Sequence, residues 1–281
     1  HRTMSAWAVS LYRKVVIFLG LCLVSVEILA QALPMERFHS DEELNMKLYF
    51  KWGVIMAKAG DTKISITESQ YEGKPAWRYN LLFKTLGMFE KVYSMRDTMN
   101  SYFSKDNGLL LFGNKHANEK DYYLIDEWRF SYLNEKTSVL SKRYTPTRVK
   151  IDTTLVADGK TYDMLSATLL LRSLDWNDLK MEEAVPFCIA IGRDLVNAAF
   201  RYTGQEIIER GNIKYRTRHF YIDVFDDAFT QSRAAGEAWI GDDSNHVPIK
   251  IRAKLKIGAA EVFFESAKNL KYPFTCGIPF R

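Results

Sequence analysis

Hydrophobic and polar residues alternate along most of the chain, and the alternation predicts β-strands. Between Met46 and Trp52 every second residue is apolar, with lysine or tyrosine between, and residues 62–67 repeat the pattern. A period of two is typical of a strand with one buried face. Gly60 and Asp61 stand between the two segments, so we predict a turn there and a hairpin made by the first two strands.

The same pattern continues toward the C-terminus. Aromatic and β-branched residues are frequent in segments 77–83, 122–133, 139–155, 187–191, 215–225, 238–240, 247–257 and 261–267. Turn signals such as Asn107-Gly108 and Gly211-Asn212 separate them. Sequential strands joined by short turns favour an antiparallel meander, and so many strands must curl to limit exposed edges. We therefore predict a mainly β fold, a curved antiparallel sheet or incomplete β-barrel.

One segment breaks the alternation. From Asp163 to Trp176 leucine and alanine recur at helical spacing, and Asp163 is suited to the N-cap position. We predict one main amphipathic α-helix there, the longest of the domain, with Ser166 as a residue of its first turn. A shorter helical turn is predicted between Leu86 and Met95.

The N-terminus has the features of a secretory signal. Arg13 and Lys14 precede an apolar stretch over residues 15–26, and Ala30-Gln31-Ala32 follows with the spacing of a cleavage site. We expect residues 1–32 to be a signal peptide and 33–281 to form a single mainly β domain, exported to the periplasm. The apolar stretch is shorter than the ~20 residues that span a bilayer, so we expect a soluble, not membrane-spanning, protein.

Composition agrees with a globular protein and excludes several partners. The 281 residues are 47% hydrophobic and 26% charged, with 39 basic and 34 acidic residues giving a formal charge of +5. No basic stripe is visible, so no nucleic-acid partner is expected. Beyond the signal segment only Cys188 and Cys276 remain. They either pair or stay as free thiols in the core, and the sequence does not decide between the two.

The search for catalytic or metal-binding motifs returns none. The chain has 5 histidines, with no pair at metal-ligand spacing, and it lacks a phosphate loop, a dinucleotide fingerprint and a nucleophile elbow. The oxygen-rich segment Asp242–Asn245 lacks the glycine and distal glutamate of a calcium loop, and we interpret it as a polar hairpin turn. We expect no catalytic residues, no cofactor and no metal.

Aromatic residues in the predicted strands supply the candidate ligand site. Any one of them can simply fill the core, but a widely curled sheet can also retain an apolar cavity. Under the second interpretation the pocket is lined by Trp52, Trp77, Tyr79, Trp128 and Trp239.

Three blocks of the chain resemble the DUF3108 family of exported bacterial proteins, a domain of unknown function. Residues 48–60 are similar to the family's opening strand, glycine turn and second strand. Residues 162–167 with Arg172 are similar to its Asp-x-x-Ser-Ala helix entry. Residues 238–251 are similar to its Trp-x-x-Asp-Asp turn and following strand, although Ser244-Asn245-His246 stand where the family commonly has arginine. The resemblance implies an exported, mainly β protein and no reaction or substrate.

Two functions fit these observations. The first is a non-catalytic binding or carrier protein that holds a lipid or another cell-envelope ligand inside the curled sheet. The alternative is an envelope assembly or scaffold protein that pairs with a partner through an exposed sheet edge. An enzyme ranks third, and the sequence leaves the oligomeric state open.

Overall fold

The computed structural model describes residues 31–225 and 232–280. Except for Gln31 and Ala32, the predicted signal peptide lies outside the described residues. The described part of the chain is dominated by strands, with two short α-helices and two 3-10 turns.

The strands follow one another in sequence with short connections. Their bounds are β1 Glu43–Trp52, β2 Ile55–Tyr71, β3 Lys74–Thr85, β4 Arg96–Ser104, β5 Leu110–Glu119, β6 Tyr122–Leu133, β7 Lys136–Tyr144, β8 Val149–Ala157, β9 Thr161–Tyr162, β10 Ala184–Ile191, β11 Asp194–Arg210, β12 Ile213–Val224, β13 Ser232–Gly241, β14 Pro248–Lys254, β15 Ala259–Lys268 and β16 Gly277–Pro279. The helices are α1 Gly87–Val92 and α2 Met164–Ser173, and the 3-10 turns are Met35–Arg37 and Trp176–Asp178.

All the strands belong to one sheet. Strands β1 to β8 form one antiparallel meander, β10 to β15 form a second, and the pairing of β1 with β15 joins the two. The short strand β9 lies parallel to β10 at the far edge, and β16 pairs with the beginning of β12. The predicted meander is therefore confirmed, and one sheet carries the whole domain.

The sheet curls until its two edges meet. Ser141 Oγ of β7 donates a hydrogen bond to the carbonyl oxygen of Gly192, in the turn between β10 and β11, at 2.6 Å. Arg193 of the same turn donates to the carbonyl oxygen of Lys150 on β8 at 2.9 Å. Side chains rather than a strand ladder join the edges, so the fold is the predicted incomplete barrel.

Helix α2 lies inside the curl and completes the core. Its apolar residues Leu165, Leu169 and Leu170 are buried, and they pack with inward side chains of the sheet such as Leu44 and Phe220. The predicted main helix is confirmed, and it is the longest in the described ranges. It ends at Ser173 rather than Trp176 because Leu174 is extended, and Trp176 begins a separate 3-10 turn.

The first hairpin is confirmed, but its predicted turn at Gly60 and Asp61 is wrong. The chain reverses at Gly53, whose φ of +56° favours glycine. Gly60 lies within β2, where a Cβ atom would stand 2.4 Å from the carbonyl oxygen of Lys84 on β3. This glycine therefore serves a close approach between two backbones and not a turn.

The barrel has two distinct ends. At one, called the Arg172 end, β1 begins beside Glu42 and the last turn of α2 carries Arg172. The hairpin end is the opposite one, where the β1–β2 and β14–β15 turns lie. The residues directly before α2, Thr161 and Tyr162, pair with β10 near the β10–β11 turn, which lies at the hairpin end. The last turn of α2 reaches Glu42 through Arg172, so α2 runs toward the Arg172 end and begins on the side of the hairpin end.

Candidate functional site

Asp163 fixes the start of α2 inside the barrel. Its carboxylate accepts from the Ser166 backbone N–H at 2.7 Å, and Ser166 Oγ accepts from the Asp163 N–H at 3.0 Å, which completes a capping box. Ser101 Oγ donates to the carboxylate from β4. Gly113 on β5 leaves room, since a Cβ there would lie 1.9 Å from the carboxylate. Burial raises the pKa of Asp163 to about 6.

Arg172 fixes the other end of the helix. Its guanidinium forms a buried ion pair with Glu42 at 2.7 Å and donates to the carbonyl oxygens of His246 and Asn245. The Phe38 ring lies against it, 4.7 Å from centroid to guanidinium carbon. These contacts tie α2 to the start of β1 and to the connection between β13 and β14, so the Arg172 end is held closed by charge as well as packing.

His246 is part of the same junction. Its Nδ1 is 2.6 Å from the carbonyl oxygen of Arg172, and since a carbonyl only accepts, Nδ1 carries the proton. Nε2 then accepts from Arg37 at 3.1 Å, and the imidazole stacks on Trp176 with ring centroids 3.6 Å apart. Burial first, and the Arg37 charge second, lower the pKa of His246 to about 4. The imidazole is therefore neutral and structural at pH 7.

The Asp242–Asn245 segment is a turn, as the sequence predicts. The Asp243 carboxylate accepts from the backbone N–H groups of Asn245, Thr275 and Cys276. Asn245 in turn bonds the backbone of Tyr272 through both ends of its amide. These side chains hold the C-terminal segment on the barrel.

An apolar groove lies between α2 and the second meander. It has a volume of about 150 Å³, and its twelve lining residues lie on α2 and on strands β10 to β14. Eleven are apolar. The lining residues are Met164, Ala167, Thr168, Leu171, Phe187, Ile189, Phe200, Ile222, Ala238, Ile240, Pro248 and Ile251.

The groove presents no free hydrogen-bonding group among these residues. The one polar side chain, Thr168, has its hydroxyl bonded to the Tyr79 hydroxyl at 2.9 Å and to the Leu165 carbonyl oxygen at 2.7 Å. Met164 is 53% exposed, so the groove reaches solvent at the first turn of α2. Such a surface favours an apolar ligand. A polar ligand would lose its hydration there and form no hydrogen bonds to replace it.

Charged side chains occupy the inner face of the first meander nearer the hairpin end. Lys115 of β5 stands opposite Asp126 of β6, which stands opposite Arg143 of β7. Arg143 Nε donates to Asp126 at 2.6 Å, and Lys115 is 3.9 Å from Asp97 on β4. Burial raises the pKa of Asp97 to about 6. The interior is therefore apolar at the groove and charged along this part of β4 to β7.

The five aromatic residues of the predicted pocket do not come together. Tyr79 and Trp128 are buried in the interior, and Trp77 packs against it from a half-buried position. Trp239 is on the outer face, where its Nε1 donates to Glu206 at 2.9 Å and Lys250 lies 4.6 Å above the ring. Trp52 is exposed at the hairpin end.

The apolar groove has none of these five aromatic residues in its lining, and the sequence did not predict it. Its walls are made by aliphatic residues, phenylalanines and two alanines. The signal that could have indicated the groove is a pair of alanines at core positions, Ala167 on the helix and Ala238 beside Trp239. Small residues at core positions leave space. Cys188 and Cys276 are free thiols and take no part in the groove.

The described residues contain neither a metal-binding cluster nor a membrane-spanning helix. No group of three His, Cys, Asp or Glu side chains is placed to hold a metal ion in the ranges that the structure covers. No helix within those ranges is long and apolar enough to cross a membrane.

The family assignment follows from residues 45–265, which match the model described as "Protein of unknown function (DUF3108)". The chain belongs to the DUF3108 family. The matched range takes in both meanders and α2. No curated protein matches the chain.

A solved structure resembles this DUF3108 protein in fold. It is the crystal structure of a beta-barrel-like protein of domain of unknown function DUF1849 from Brucella abortus. The TM-score is 0.55 at 9% sequence identity, over 82% of this chain and 98% of the other. At that identity the likeness shows the fold alone.

Two of the three DUF3108 blocks meet in space at the Arg172 end. The helix-entry block supplies Asp163 and Arg172, and the turn block supplies the two carbonyl oxygens that Arg172 binds. The residues that carry the family resemblance therefore position α2 inside the barrel, and the groove is a consequence of that placement.

Proposed function

We propose that this protein binds and carries an amphipathic ligand with one slender apolar chain, such as a fatty acid or a single-chain envelope lipid. The observation that supports it is the groove between α2 and strands β10 to β14, which is apolar throughout and reaches solvent beside Met164. A dry apolar cavity of about 150 Å³ is large enough for benzene, so the groove accepts a narrow chain and excludes fused rings.

The charged residues near the hairpin end suit the polar end of such a ligand. Lys115 and Arg143 are both partly exposed, with 35% and 31% of their side-chain surface accessible. Lys115 pairs with Asp97 and Arg143 pairs with Asp126, so a carboxylate or phosphate at the groove mouth would share these two cations with the aspartates. The proposal therefore names an anionic head as well as an apolar chain.

We also propose that the protein acts outside the cytoplasm, as an exported periplasmic carrier. The support is the sequence alone, the basic and apolar segment before Ala32. N-terminal sequencing of protein recovered from the periplasm should begin at Leu33. A chain that keeps residues 1–32 would overturn this part of the proposal.

The carrier function is tested by filling the groove. Ala167 is buried on the groove side of α2, and Ala167→Leu places three more carbons in the space that an acyl chain would take. A fluorescent long-chain fatty acid should bind the wild type saturably, and the variant should bind at least about tenfold more weakly.

The matched control is Ala184→Leu, the same substitution at an exposed position at the start of β10. It should bind like the wild type. Thermal unfolding of both variants separates a filled groove from a disrupted fold, since overpacking costs about 1 to 3 kcal/mol. Equal binding by Ala167→Leu and wild type would contradict the carrier function.

The scaffold alternative has less support. The edge strand β8 and its neighbour β7 are hydrogen-bonded to the β10–β11 turn across the seam, through Arg193 and Ser141 respectively. An incoming strand would have to displace those contacts, so pairing through this edge is less favourable than the sequence alone indicates.

A further inference from the structure

The hairpin end carries apolar side chains that face solvent. In the β1–β2 turn Val54 is fully exposed and Ile55 is 62% exposed, and in the β14–β15 turn Ile257 is 74% exposed. Helix α1 adds Met88 and Val92, which are more than 70% exposed. Exposed aliphatic residues on turns are unusual, because turns favour polar residues and glycine.

These residues lie on two neighbouring turns and the adjacent helix, and we call the following six the tip patch: Trp52, Val54, Ile55, Leu255, Ile257 and Met88. The two turns are neighbours because β1 pairs with β15 as far as Lys51 and Ala259. Gly258 approaches so closely that a Cβ there would lie 2.1 Å from the carbonyl oxygen of Lys51. Helix α1 joins them through Phe89, whose ring is 5.2 Å from that of Phe50.

The charged residues within the two turns are all lysines, and Lys51 lies 3.8 Å from the buried carboxylate of Glu261. Residues 51–58 and 254–258 contain Lys51, Lys58, Lys254 and Lys256 and no aspartate or glutamate. The acidic residue of α1, Glu90, is paired with Arg96 at 2.7 Å. The apolar side chains of the two turns therefore have lysines as their charged neighbours in the chain.

We propose that the tip patch docks on the surface of an anionic lipid bilayer. Aliphatic and tryptophan side chains enter the boundary between headgroups and acyl chains, and lysines beside them bind anionic headgroups. A second copy of this chain is a poor occupant, since symmetric contact through this patch would bring the same lysines of both copies together. A bilayer with anionic lipid matches both the apolar turns and their charge.

Docking goes beyond the proposed carrier function and rests on different residues. None of the tip-patch residues lines the groove. The two proposals can therefore fail separately, and vesicle binding is measured here without any fluorescent ligand.

The test is flotation of the protein with vesicles. The protein used in this test begins at Leu33, the expected start of the mature chain, because the apolar segment before it would bind vesicles itself. All the strands and helices whose bounds are given above lie after that residue. Wild type should float with vesicles of phosphatidylcholine and 30% phosphatidylglycerol, and salt should weaken the binding. Vesicles of phosphatidylcholine alone should bind at least about fivefold less.

Two sets of variants separate the contribution of the apolar side chains to vesicle binding from that of the lysines. The triple variant Val54→Ser, Ile55→Ser and Ile257→Ser should lose at least about tenfold in partition. Its matched control replaces three apolar residues that are more than half exposed at the Arg172 end, Leu133→Ser, Ile207→Ser and Ile278→Ser, and should bind like the wild type.

The lysine set is Lys58→Gln, Lys254→Gln and Lys256→Gln, with Lys136→Gln, Lys214→Gln and Lys268→Gln as the control of equal charge. The first should lose at least about tenfold on anionic vesicles and the second should not. No flotation of wild type, or equal flotation of tip and control variants, would overturn the proposal. A dimer in sedimentation that the apolar triple variant abolishes, without vesicle binding, would assign the patch to self-association and overturn it too.

Discussion

At the scale of single residues, the Arg172 end depends on ionisable groups that are out of contact with water. Arg172 is fully buried and its charge is balanced by Glu42. Removing one partner from such a pair leaves an uncompensated charge in the interior, which is strongly destabilising. The same junction holds His246 in one tautomer with a positive φ of 50°. This group of residues is therefore sensitive to pH.

We predict that His246→Asn changes the pH dependence of stability. The folded-state pKa of His246 is about 4, below its ordinary value of 6.5. Above pH 6.5 the imidazole of residue 246 is neutral in both the folded and the unfolded chain, and its contribution to stability is fully present. As the pH falls toward 4, the unfolded chain binds a proton that the folded imidazole does not, and stability is lost.

The measurement is the free energy of unfolding of wild type and variant from pH 7 to pH 4. The wild type should lose about 2 kcal/mol of unfolding free energy relative to the variant between pH 7 and pH 5, because asparagine does not titrate. Asp97 and Asp163 have raised pKa values of about 6, so they stabilise the fold as the pH falls, opposite to His246. Both proteins contain them, so their contributions cancel in the difference. A constant difference across this range would contradict a buried neutral His246.

At the scale of elements, α2 is the piece that its sequence specifies most completely. The cap at Asp163 and the apolar stripe are local features, and both are confirmed. The first turn was misplaced because a glycine in a sequence signals either a reversal or a close approach, and only the partner strand distinguishes the two. Gly60 meets Lys84 from β3, a contact that the local pattern does not show.

We predict that Leu170→Ala destabilises the fold by about 2 to 5 kcal/mol, since Leu170 is 3% exposed and belongs to the central core. Urea denaturation followed by tryptophan fluorescence measures it. Leu140→Ala is the control, a strand leucine that is 52% exposed and should change stability by less than about 1 kcal/mol. A loss at Leu170 no larger than the control would place the stripe at the surface.

At the scale of the whole molecule, the sequence predicts a curled meander but not its interior. Alternation at period two says which residues share a face and leaves open which face is inside. Trp239 shows the consequence, because its strand neighbours Ala238 and Ile240 face the core and the tryptophan lies outside. The groove is set by where α2 lies, and that position depends on Arg172 reaching Glu42 across 130 residues of sequence.

The hairpin end unites the two proposals, because α2 begins toward the end that carries the tip patch. If both hold, the protein takes its ligand from the bilayer by contact. We predict that transfer of a fluorescent long-chain fatty acid from anionic vesicles to wild type speeds up in proportion to vesicle concentration. Transfer through free diffusion would be independent of it, and that result would contradict uptake by contact.

The variants should separate docking from binding. With Val54→Ser, Ile55→Ser and Ile257→Ser, the affinity for ligand supplied without vesicles should equal that of wild type, while transfer from vesicles slows at least about tenfold. Ala167→Leu should float with vesicles normally and take up little ligand. Stopped-flow fluorescence with a quencher held in the vesicles measures both. Loss of vesicle-free binding in the tip variant would show that the tip patch and the groove form one site, because the residues at the turns would then be contacting the ligand itself.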